Sequence, residues 1–319
     1  MKMDSLITRF TVQTRYEDLT AEAIKAAKHH ILHTLATVLA GSSAPGIKEV
    51  LELSEDAGGK AESTVMVYGR KMPAISAALV NSTMAHARDY CMNDDRTYYK
   101  SSVTVIPAAL AIAEKVSGVT GKDFLAAVSV GIELGIRIAL AINPKPPHAR
   151  SPMIGGFASV VAAGRLLGLD EEQMLDALGI VYCQVCASGG STSSPALNKR
   201  LLAGLAARAG VFSALLAKKG FKSSRNVLNG PKGYFVTYHG VEGDIHHVTA
   251  NLGKEWEIVQ VGPKGYPCCR VLHAPIDATL ALVKEEDIKA EEVEEAPVFG
   301  SRSNLFMSPE AVTIESLEK

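Results

Sequence analysis

Residues 105–142 read VIPAALAIAEKVSGVTGKDFLAAVSVGIELGIRIALAI, and this stretch decides the class of fold. Its apolar residues recur at helical spacing on both sides of a turn at Gly118–Lys122. Thr120 and Asp123 are placed to begin the second helix. Alanine and glycine are frequent, and such small side chains let neighbouring helices approach closely. The stretch therefore predicts two closely packed helices, Val105–Val116 and Lys122–Ile142.

The same pattern recurs on both sides of this stretch. Thr20 can cap a helix whose apolar residues continue to Val38 and which ends at Gly41. Further helices are predicted at Gly46–Leu53, Ile75–Arg88, Gly155–Leu167, Glu171–Val185, Leu197–Lys219 and Leu272–Glu285. Two stretches are bounded by turn residues: Thr64–Tyr68 is predicted as a strand or an extended segment, and Trp256–Val261 as a strand. The sequence thus predicts a mainly α fold with one compact helical body.

Composition limits the possible functions. The chain has 319 residues, 47% of them hydrophobic and 21% charged, so it can bury a large core. With 33 basic and 34 acidic side chains its formal net charge is -1, which argues against nucleic acid as a partner. Met1–Thr20 lacks the apolar core of a secretory signal, and the apolar stretches Val103–Glu114 and Val128–Ile142 are too short or too interrupted to cross a bilayer. Five cysteines without regular spacing complete the prediction of a cytoplasmic protein with no membrane partner.

His86 and Asp89 end one predicted helix at spacing i,i+3, which places both on one face. A carboxylate and an imidazole in this arrangement can cooperate in proton transfer. The alternative is structural: His86 caps the helix C-terminus and Asp89 binds backbone in the following turn. Spacing alone favours the structural interpretation.

Cations lie at the start of two other predicted helices. Lys100, Ser101 and Ser102 precede one helix, where hydroxyl groups and free N–H groups favour an anion. Lys199 and Arg200 lie in the first turn of another, where the helix dipole does not favour positive charge. An anionic ligand would resolve that conflict. A serine cap in the first case and a solvated basic patch in the second remain open alternatives.

Residues 264–273 read KGYPCCRVLH and bring Lys, Tyr, Cys, Arg and His together between a predicted strand and a predicted helix. Loops between such elements carry functional residues disproportionately. Lys264 and Tyr266 can act as an acid, a base or a partner for a carboxylate. The structural alternative is a turn fixed by proline beside a buried pair of thiols.

The cysteines suggest a competing hypothesis. Cys183 and Cys186 form a CxxC motif that, with Cys268 and Cys269, has the residue types of a zinc site. The motif lies inside a predicted apolar helix, not at a helix start, where a thiolate would be stabilised. We find no GxGxxG, P-loop or GxSxG motif in its required context. A thiol-based redox or zinc protein is kept as the third interpretation.

Five stretches between Tyr16 and Asp277 resemble the MmgE/PrpD family, whose members include 2-methylcitrate dehydratase, cis-aconitate decarboxylase and iminodisuccinate epimerase. The similar stretches are AALVN…AHARD (77–89), VIPAALAIAE (105–114), RLLGLDEEQMLDALG (165–179), KRL..G (199–204) and YPCCR..H (266–273). The resemblance implies a large all-helical domain followed by a smaller α+β domain, a homodimer, and no metal or organic cofactor. We place the domains at 1–260 and 261–319, the second being incomplete relative to the family.

The resemblance also implies roles for individual residues. Asp89 matches the first aspartate of the family's H-x-x-D-[FY]-D-D-T segment, and Lys199 matches the lysine of its K-R-L-H segment. Lys264, Tyr266 and His273 match the lysine, tyrosine and histidine of its K-x-Y-P segment. In the family these residues surround an active-site cavity and handle substrate carboxylates and protons.

This chain departs from the family pattern at several positions. The family's D-D-T reads Cys91-Met92-Asn93, with Asp94 and Asp95 as possible substitutes. Lys100 replaces the histidine of the H-P-S segment. A second family histidine falls at Ala149, one residue after His148, and the histidine of K-R-L-H is Leu202.

The resemblance predicts a cofactor-independent lyase or isomerase acting on a small di- or tricarboxylate by acid–base proton transfer. The expected carboxylate-binding residues are Lys199, Lys264, Arg270, Ser101 and Ser102. The expected acid–base residues are Asp89, Lys100, Tyr266 and His273. The alternative is a catalytically inactive family remnant that serves as a dimerising or binding scaffold.

Overall fold

The computed structural model describes residues 3–142, 150–186, 196–240 and 242–296, and it is mainly α-helical. Its α-helices, in chain order, are α1 Met3–Gln13, α2 Ala21–Gly41, α3 Ile47–Asp56, α4 Ala74–His86, α5 Ser102–Lys115, α6 Gly121–Leu140, α7 Arg150–Leu166, α8 Glu171–Tyr182, α9 Asn198–Lys218, α10 Tyr234–His239, α11 Ile245–Thr249 and α12 His273–Glu286. The predicted mainly α class is confirmed, and so is the large helical domain. The boundary at residues 260 and 261 stays a prediction.

The helix starts follow the sequence signals. Thr20 accepts a hydrogen bond from the main-chain N–H of Ala23 and so caps α2. Thr120 and Asp123 form a reciprocal capping box at the start of α6, because each side chain accepts from the other residue's N–H group. Asp170 and Gln173 do the same at the start of α8. These local contacts explain why the helices could be placed from sequence.

The core of the described fold is formed where α9 packs against α4 and α7. Gly204 lies at the crossing with α4, where a Cβ atom would fall 2.1 Å from Oγ1 of Thr83 and 2.6 Å from the carbonyl oxygen of Leu79. Helix α9 is long and apolar enough to cross a bilayer by length and composition alone, but over half of its apolar window is buried inside the fold. Such burial is typical of the core helix of a globular domain.

The described residues contain one small sheet. Strands β1, Ser63–Val65, and β2, Arg70–Met72, pair antiparallel, with Thr64 opposite Lys71. The predicted strand at Thr64–Tyr68 is therefore confirmed only in its first residues, because the chain turns back at Val67 and Gly69, both with positive φ.

The predicted strand at Trp256–Val261 is wrong. Glu257–Gln260 forms a 3₁₀ turn instead. Trp256 and Ile258 are buried against the helical body. The N–H of Ile258 donates to Oε2 of Glu133 at 3.0 Å, not to a neighbouring strand. The β-branched pattern thus reflects burial of single side chains.

Glu133 belongs to a buried ion pair that fixes the segment leading to the candidate site. Nε of Arg137 lies 2.6 Å from Oε1 of Glu133, and both side chains are almost fully buried. The guanidinium also donates to the carbonyl oxygens of Ala250 and Glu255 at 2.8 and 2.9 Å. This pair holds the chain between α11 and residue 260 against α6.

Candidate functional site

Two lysines that are distant in sequence meet at Asp89. Nζ of Lys199, in the first turn of α9, lies 2.5 Å from Oδ2 of Asp89. Nζ of Lys264 lies 2.8 Å from Oδ1 of the same carboxylate. The Lys264 side chain is 0% exposed, Asp89 16% and Lys199 32%, so solvent reaches the cluster from the Lys199 side. Each carboxylate oxygen therefore has its own ammonium partner.

The position of Asp89 follows from how α4 ends. The helix stops at His86, and the N–H of Asp89 closes a turn by donating to the carbonyl oxygen of His86 at 3.0 Å. Asp89 itself has a φ of 48°, in the left-handed region that non-glycine residues adopt rarely. Such conformations persist where surrounding contacts hold them, and they cluster at functional sites. Here the contacts are the two lysines.

The charges around Asp89 fix its ionisation. Burial alone would raise the pKa of Asp89, but His86, Lys100, Lys199 and Lys264 outweigh burial and lower the pKa far below its usual range. Burial acts against the charge of Lys199 as well, yet the contact with Asp89 prevails and raises the pKa of that lysine. Asp89 is therefore an anion and Lys199 a cation at neutral pH. A carboxylate this acidic is a poor proton acceptor, so its role is to hold the lysines.

His86 and Cys91 form a buried pair beside this cluster. Nδ1 of His86 lies 3.1 Å from Sγ of Cys91. Burial lowers the pKa of His86 to about 3 and raises the pKa of Cys91 to about 11, so both groups are neutral. The two neutral groups therefore share a hydrogen bond and not an ion pair.

A second loop is fixed to the first by main-chain and side-chain contacts. Asn93 and Gly262 form an isolated antiparallel bridge, with N–H to O distances of 3.0 and 3.4 Å. Lys264 donates to the carbonyl oxygens of Asp89 and Cys268 at 2.5 and 2.7 Å as well as to the Asp89 carboxylate. The ammonium group thereby ties the loop around residue 264 to the end of α4.

Arg270 is held by two partners within its own neighbourhood. Its Nε and Nη2 atoms form a bidentate pair with Asp95, at 2.6 and 2.5 Å. Its Nη1 lies 2.8 Å from Nδ1 of His273, and a guanidinium can only donate. Burial, Arg270 and Lys264 together lower the pKa of His273. Arg270 thus binds Asp95 and orients His273. Its predicted contact with a substrate carboxylate stays a prediction.

Tyr266 lies at the edge of the same loop. Its hydroxyl group donates to Oδ1 of Asp277 at 2.6 Å, and this hydrogen bond raises the pKa of Tyr266. The Tyr266 and His273 rings meet edge to face with centroids 5.2 Å apart. Tyr266 therefore keeps its proton at neutral pH beside His273.

Lys100, Ser101 and Ser102 lie at the start of α5, as predicted. The Lys100 main-chain N–H donates to Oγ of Ser151 at 3.2 Å. Ser101 and Ser102 are fully buried, and within the described residues neither hydroxyl group has a hydrogen-bond partner. Lys100 is close enough to lower the pKa values of both Asp89 and His86. The charge of Lys100 is therefore within electrostatic reach of the Asp89 cluster.

A metal ion fits this cluster poorly. Ligand atoms of His86, Asp89 and Cys91 lie within 4.8 Å of one another, a spacing compatible with a shared ion. However, both Asp89 oxygens bind ammonium groups, and a divalent cation would lie beside two positive charges. Cys91 would also have to lose a proton that burial retains. The arrangement suits an anionic organic ligand better.

Other residues singled out from the sequence lie elsewhere. Nη1 of Arg200 donates to the carbonyl oxygen of Pro45 at 2.5 Å. Cys183 and Cys186 are exposed free thiols and, across the described ranges, are not part of a group close enough to share a metal. A surface pocket of about 190 Å³, which Cys186 lines together with Leu202 and Arg208, contains none of the predicted site residues. His148 and Ala149 fall outside the described residues.

Two contacts were not predicted from the sequence. In the sequence Cys91 is only a departure from the family pattern, and the residue spacing does not indicate its contact with His86. The sequence offers Asp95 as a substitute carboxylate, whereas in the structure it binds Arg270. Both contacts depend on the path of the loop after α4, which sequence periodicity does not specify.

Comparison with known proteins identifies relatives of the whole helical body. The profile of the MmgE/PrpD N-terminal domain matches residues 5–243. Cis-aconitate decarboxylase of Aspergillus terreus is 30% identical over 277 residues, which cover 82% of this chain and 56% of that protein. The cis-aconitate decarboxylase-like protein oryM of Aspergillus oryzae is 28% identical, with 85% and 60% covered. Human cis-aconitate decarboxylase is 27% identical, with 83% and 56% covered. The chain thus spans little more than half the length of these relatives.

Proposed function

The chain belongs to the MmgE/PrpD family, and from this premise we propose that it is a cofactor-independent lyase or isomerase acting on a small di- or tricarboxylate. The relatives named above are cis-aconitate decarboxylases or decarboxylase-like. Decarboxylation, dehydration and epimerisation of such acids share one requirement, because each builds negative charge on a carbon beside a carboxylate. A site for any of them needs fixed cations and a group that moves a proton.

The observation that carries the proposal is the pair of lysines on Asp89. Lys199 and Lys264 come from α9 and from the loop before α12, and they reach the same carboxylate from opposite oxygens. Cations fixed before the substrate arrives need no reorganisation when negative charge develops, and this form of stabilisation is usually the largest single contribution. The two ammonium groups would bind a substrate carboxylate and stabilise the enediolate-like charge that follows.

The proton would be moved by groups around this pair. Asp89 is too acidic for the task, so the proposal assigns it the positioning of the lysines. The acid–base groups are then drawn from Lys100, Tyr266 and His273. His273 is neutral and Arg270 donates to its Nδ1, so its Nε2–H can donate a hydrogen bond to a substrate oxygen. Tyr266 beside it retains its proton and could transfer it to the substrate once the substrate replaces Asp277 as its partner.

The test is a search for chemistry in deuterated water. Purified protein is incubated with cis-aconitate, methyl-substituted citrate and substituted succinates, and each reaction is followed by proton and carbon NMR. We expect decarboxylation, hydration or dehydration, or exchange at the carbon beside a carboxylate for at least one acid. A Lys264→Met variant is the control for contaminating enzymes. An absence of all three reactions with every acid would contradict the proposal.

A second candidate is a dimerising or binding scaffold without catalysis. The observation in its favour is α12, where Leu280 and Leu282 are 53% and 55% exposed although the helix follows directly after the site loop. Exposed apolar side chains on a helix favour a partner surface. Sizing by light scattering together with the NMR assay separates the two candidates, because a scaffold would associate without turning over any acid.

A further inference from the structure

We propose that Cys268 and Cys269 form a redox-sensitive pair, which oxidised glutathione or a similar small disulfide converts to a disulfide that releases Lys264 from a main-chain acceptor. The two thiols follow Pro267 in the loop that carries Lys264, and both are free. Oxidation of the pair does not depend on the proposed function. Its consequence for a carboxylate ligand rests on that function, because Lys264 is one of the two proposed binding cations.

A small oxidant can reach the pair. Cys268 and Cys269 are each partly exposed, and the neighbouring Gly265 and Pro267 are exposed. Burial raises the pKa of Cys268, so this group is a protonated thiol at neutral pH. The pair is therefore accessible to a disulfide reagent and stays reduced until one is supplied.

The adjacency of the two cysteines makes their disulfide a strained one. Neighbouring Cα atoms are about 3.8 Å apart across a trans peptide, whereas ordinary disulfides join Cα atoms about 4.4–6.8 Å apart. Sγ of Cys268 lies 3.6 Å from the carbonyl oxygen of Cys269, so it must turn from this oxygen to meet the other sulfur. Bridging closes a small ring around the peptide bond between the two residues and must reorient that peptide. A strained disulfide of this kind is also reduced easily, which makes the change reversible.

The peptide that must turn supplies an acceptor to Lys264. Nζ of Lys264 donates to the carbonyl oxygen of Cys268 at 2.7 Å, and to the carbonyl oxygen and Oδ1 of Asp89 at 2.5 and 2.8 Å. An ammonium group has three protons, so all of them are used. The Lys264 side chain is 0% exposed, and solvent does not replace an acceptor that moves away. Oxidation therefore either leaves the buried ammonium group with an unpaired proton or draws it away from Asp89.

The coupling works in both directions. If the disulfide disturbs Lys264, then the contact between Lys264 and the Cys268 carbonyl stabilises the reduced pair by the same free energy. Removal of the lysine should therefore make the pair easier to oxidise. This reciprocity gives a readout that requires neither a substrate nor catalysis.

The oxidation consists of two thiol–disulfide exchanges. The thiolate of one cysteine attacks a sulfur of oxidised glutathione, whose S–S bond breaks, and one glutathione leaves as a thiolate. The other cysteine loses its proton and attacks the protein sulfur of the mixed disulfide, which releases the second glutathione. The two protons from the cysteines end on the two glutathione thiols. The cysteine pair loses two electrons and the glutathione disulfide gains them.

The test begins with the double variant Cys183→Ser/Cys186→Ser, which removes two exposed thiols that could form a disulfide of their own. This chain is equilibrated with mixtures of reduced and oxidised glutathione, unfolded in iodoacetamide, and digested with trypsin for mass spectrometry. We expect the peptide GYPCCR, residues 265–270, to lose two hydrogen atoms and escape alkylation. The peptide DYCMNDDR, residues 89–96, should be alkylated throughout, because its cysteine is buried. Alkylation of both thiols of GYPCCR at every ratio, or a disulfide between the two peptides, would overturn the proposal.

The coupling to Lys264 is tested by two lysine variants of this chain. Lys264→Met should become oxidised at a ratio of oxidised to reduced glutathione at least tenfold lower. Lys199→Met is the matched control, because Lys199 binds the Asp89 carboxylate without contacting the Cys268 carbonyl, and its ratio should change far less. Equal ratios in the two variants would contradict the coupling. If Lys264→Met does not fold, hydrogen exchange decides: it should be faster at residues 89–93 in the oxidised chain than in the reduced chain, and equal rates would contradict the coupling.

Ligand binding then separates this inference from the proposed function. Oxidation should weaken the binding of tricarballylate at least tenfold, and oxidised glutathione should not affect binding to a Cys268→Ser/Cys269→Ser variant, which keeps the carbonyl acceptor. Unchanged affinity in the oxidised chain would overturn the release of Lys264 and leave the proposed function standing. Oxidation with the expected change in glutathione ratio or hydrogen exchange, but no binding in either redox state, would support the redox pair and count against the proposed function alone.

Discussion

Nζ of Lys264 donates to both the side chain and the main chain of Asp89, at 2.8 Å to Oδ1 and 2.5 Å to the carbonyl oxygen. This ammonium group is fully buried, so its charge is balanced inside the protein and not by solvent. The contact joins the end of α4 to a loop 175 residues later in the chain. The same contact therefore positions the two lysines of the candidate site and stabilises the fold around them.

The two lysines on Asp89 should differ in their effect on stability. Lys264→Met leaves a buried carboxylate oxygen and two carbonyl oxygens without their donor, and breaking a buried pair in this way costs about 3–5 kcal/mol. Lys199→Met removes a pair whose lysine is 32% exposed, for which about 1 kcal/mol is expected. Urea unfolding followed by circular dichroism measures both values. Equal losses of unfolding free energy in the two variants would show that the deeper burial of Lys264 does not make its contact with Asp89 the stronger one.

Stability should fall as the pH is lowered below about 6.5, because two histidines are buried in neutral form. Burial lowers the pKa of His86 to about 3 and of His30 to about 4, whereas an unfolded histidine has a pKa of about 6.5. Between these values the unfolded chain binds protons that the folded chain does not. Each histidine thus contributes a slope of about 1.4 kcal/mol per pH unit, with stability rising as pH rises.

This pH dependence is measured by unfolding at a series of pH values from 4 to 7. His86→Gln should reduce the slope by about one proton, and His30→Gln should do the same independently. The matched control is the same substitution at an exposed histidine, His246→Gln. A slope that does not differ between His86→Gln and the unmodified chain would show that His86 is charged in the folded state.

Gly204 should be intolerant of a side chain. In Gly204→Ala the new Cβ would lie 2.1 Å from Oγ1 of Thr83 and 2.6 Å from a main-chain oxygen of α4, so the crossing with α9 must open. Overpacking of this kind costs about 1–3 kcal/mol or more. Because Lys199 lies on α9, Gly204→Ala should also displace Lys199 and weaken the binding of substrate.

The control for this prediction is Gly121→Ala, since nothing lies within 4 Å of the Cβ position there. Gly121 begins α6, so alanine should be neutral or slightly stabilising by the higher helix propensity of alanine. Thermal melts of the two variants measure the difference. A Gly204→Ala protein as stable as Gly121→Ala would mean that α4 and α9 are not in close contact.

Arg137 should be essential for the segment that leads to Lys264. Arg137→Met leaves Glu133 buried without its cation and releases two carbonyl oxygens, at a cost of about 3–5 kcal/mol. Lys122→Met breaks a pair with Glu17 in which the two side chains are 64% and 65% exposed, and it should cost far less. Hydrogen exchange should show faster exchange at residues 245–260 in the first variant only. Equal exchange rates at residues 245–260 in the two variants would show that Arg137 does not hold this segment in place.

The sequence predicted the helical elements well because their determinants are local. Apolar spacing and capping residues such as Thr20 and Thr120 act within a few residues, and both caps are present. The strand predicted at Trp256–Val261 is wrong because its conformation is not decided locally. A β-branched run at the surface of a helical body can bury alternate side chains without pairing with a strand. Contact with Glu133, far away in sequence, decided its conformation.

The sequence predicted which residues form the candidate site but not which of them contact each other. Asp89, Lys199 and Lys264 were identified by resemblance, and the structure brings these three together. Nothing in the sequence showed that Asp95 would take Arg270 or that Cys91 would contact His86. Such contacts depend on how separate loops pack against each other, and the spacing of residues along the sequence does not determine that packing.

The most direct test of the account is the binding of tricarballylate, a tricarboxylate that cannot react by elimination, to the intact chain and to variants at the two ends of α9. We expect saturable binding, a loss of at least tenfold in Lys199→Met, and no change in Lys218→Met, whose ammonium group donates to the carbonyl oxygen of Gly168 at the other end of the helix. Equal affinity in the two variants, or no binding to the intact chain, would contradict the claim that Lys199 and Lys264 form a carboxylate site on Asp89.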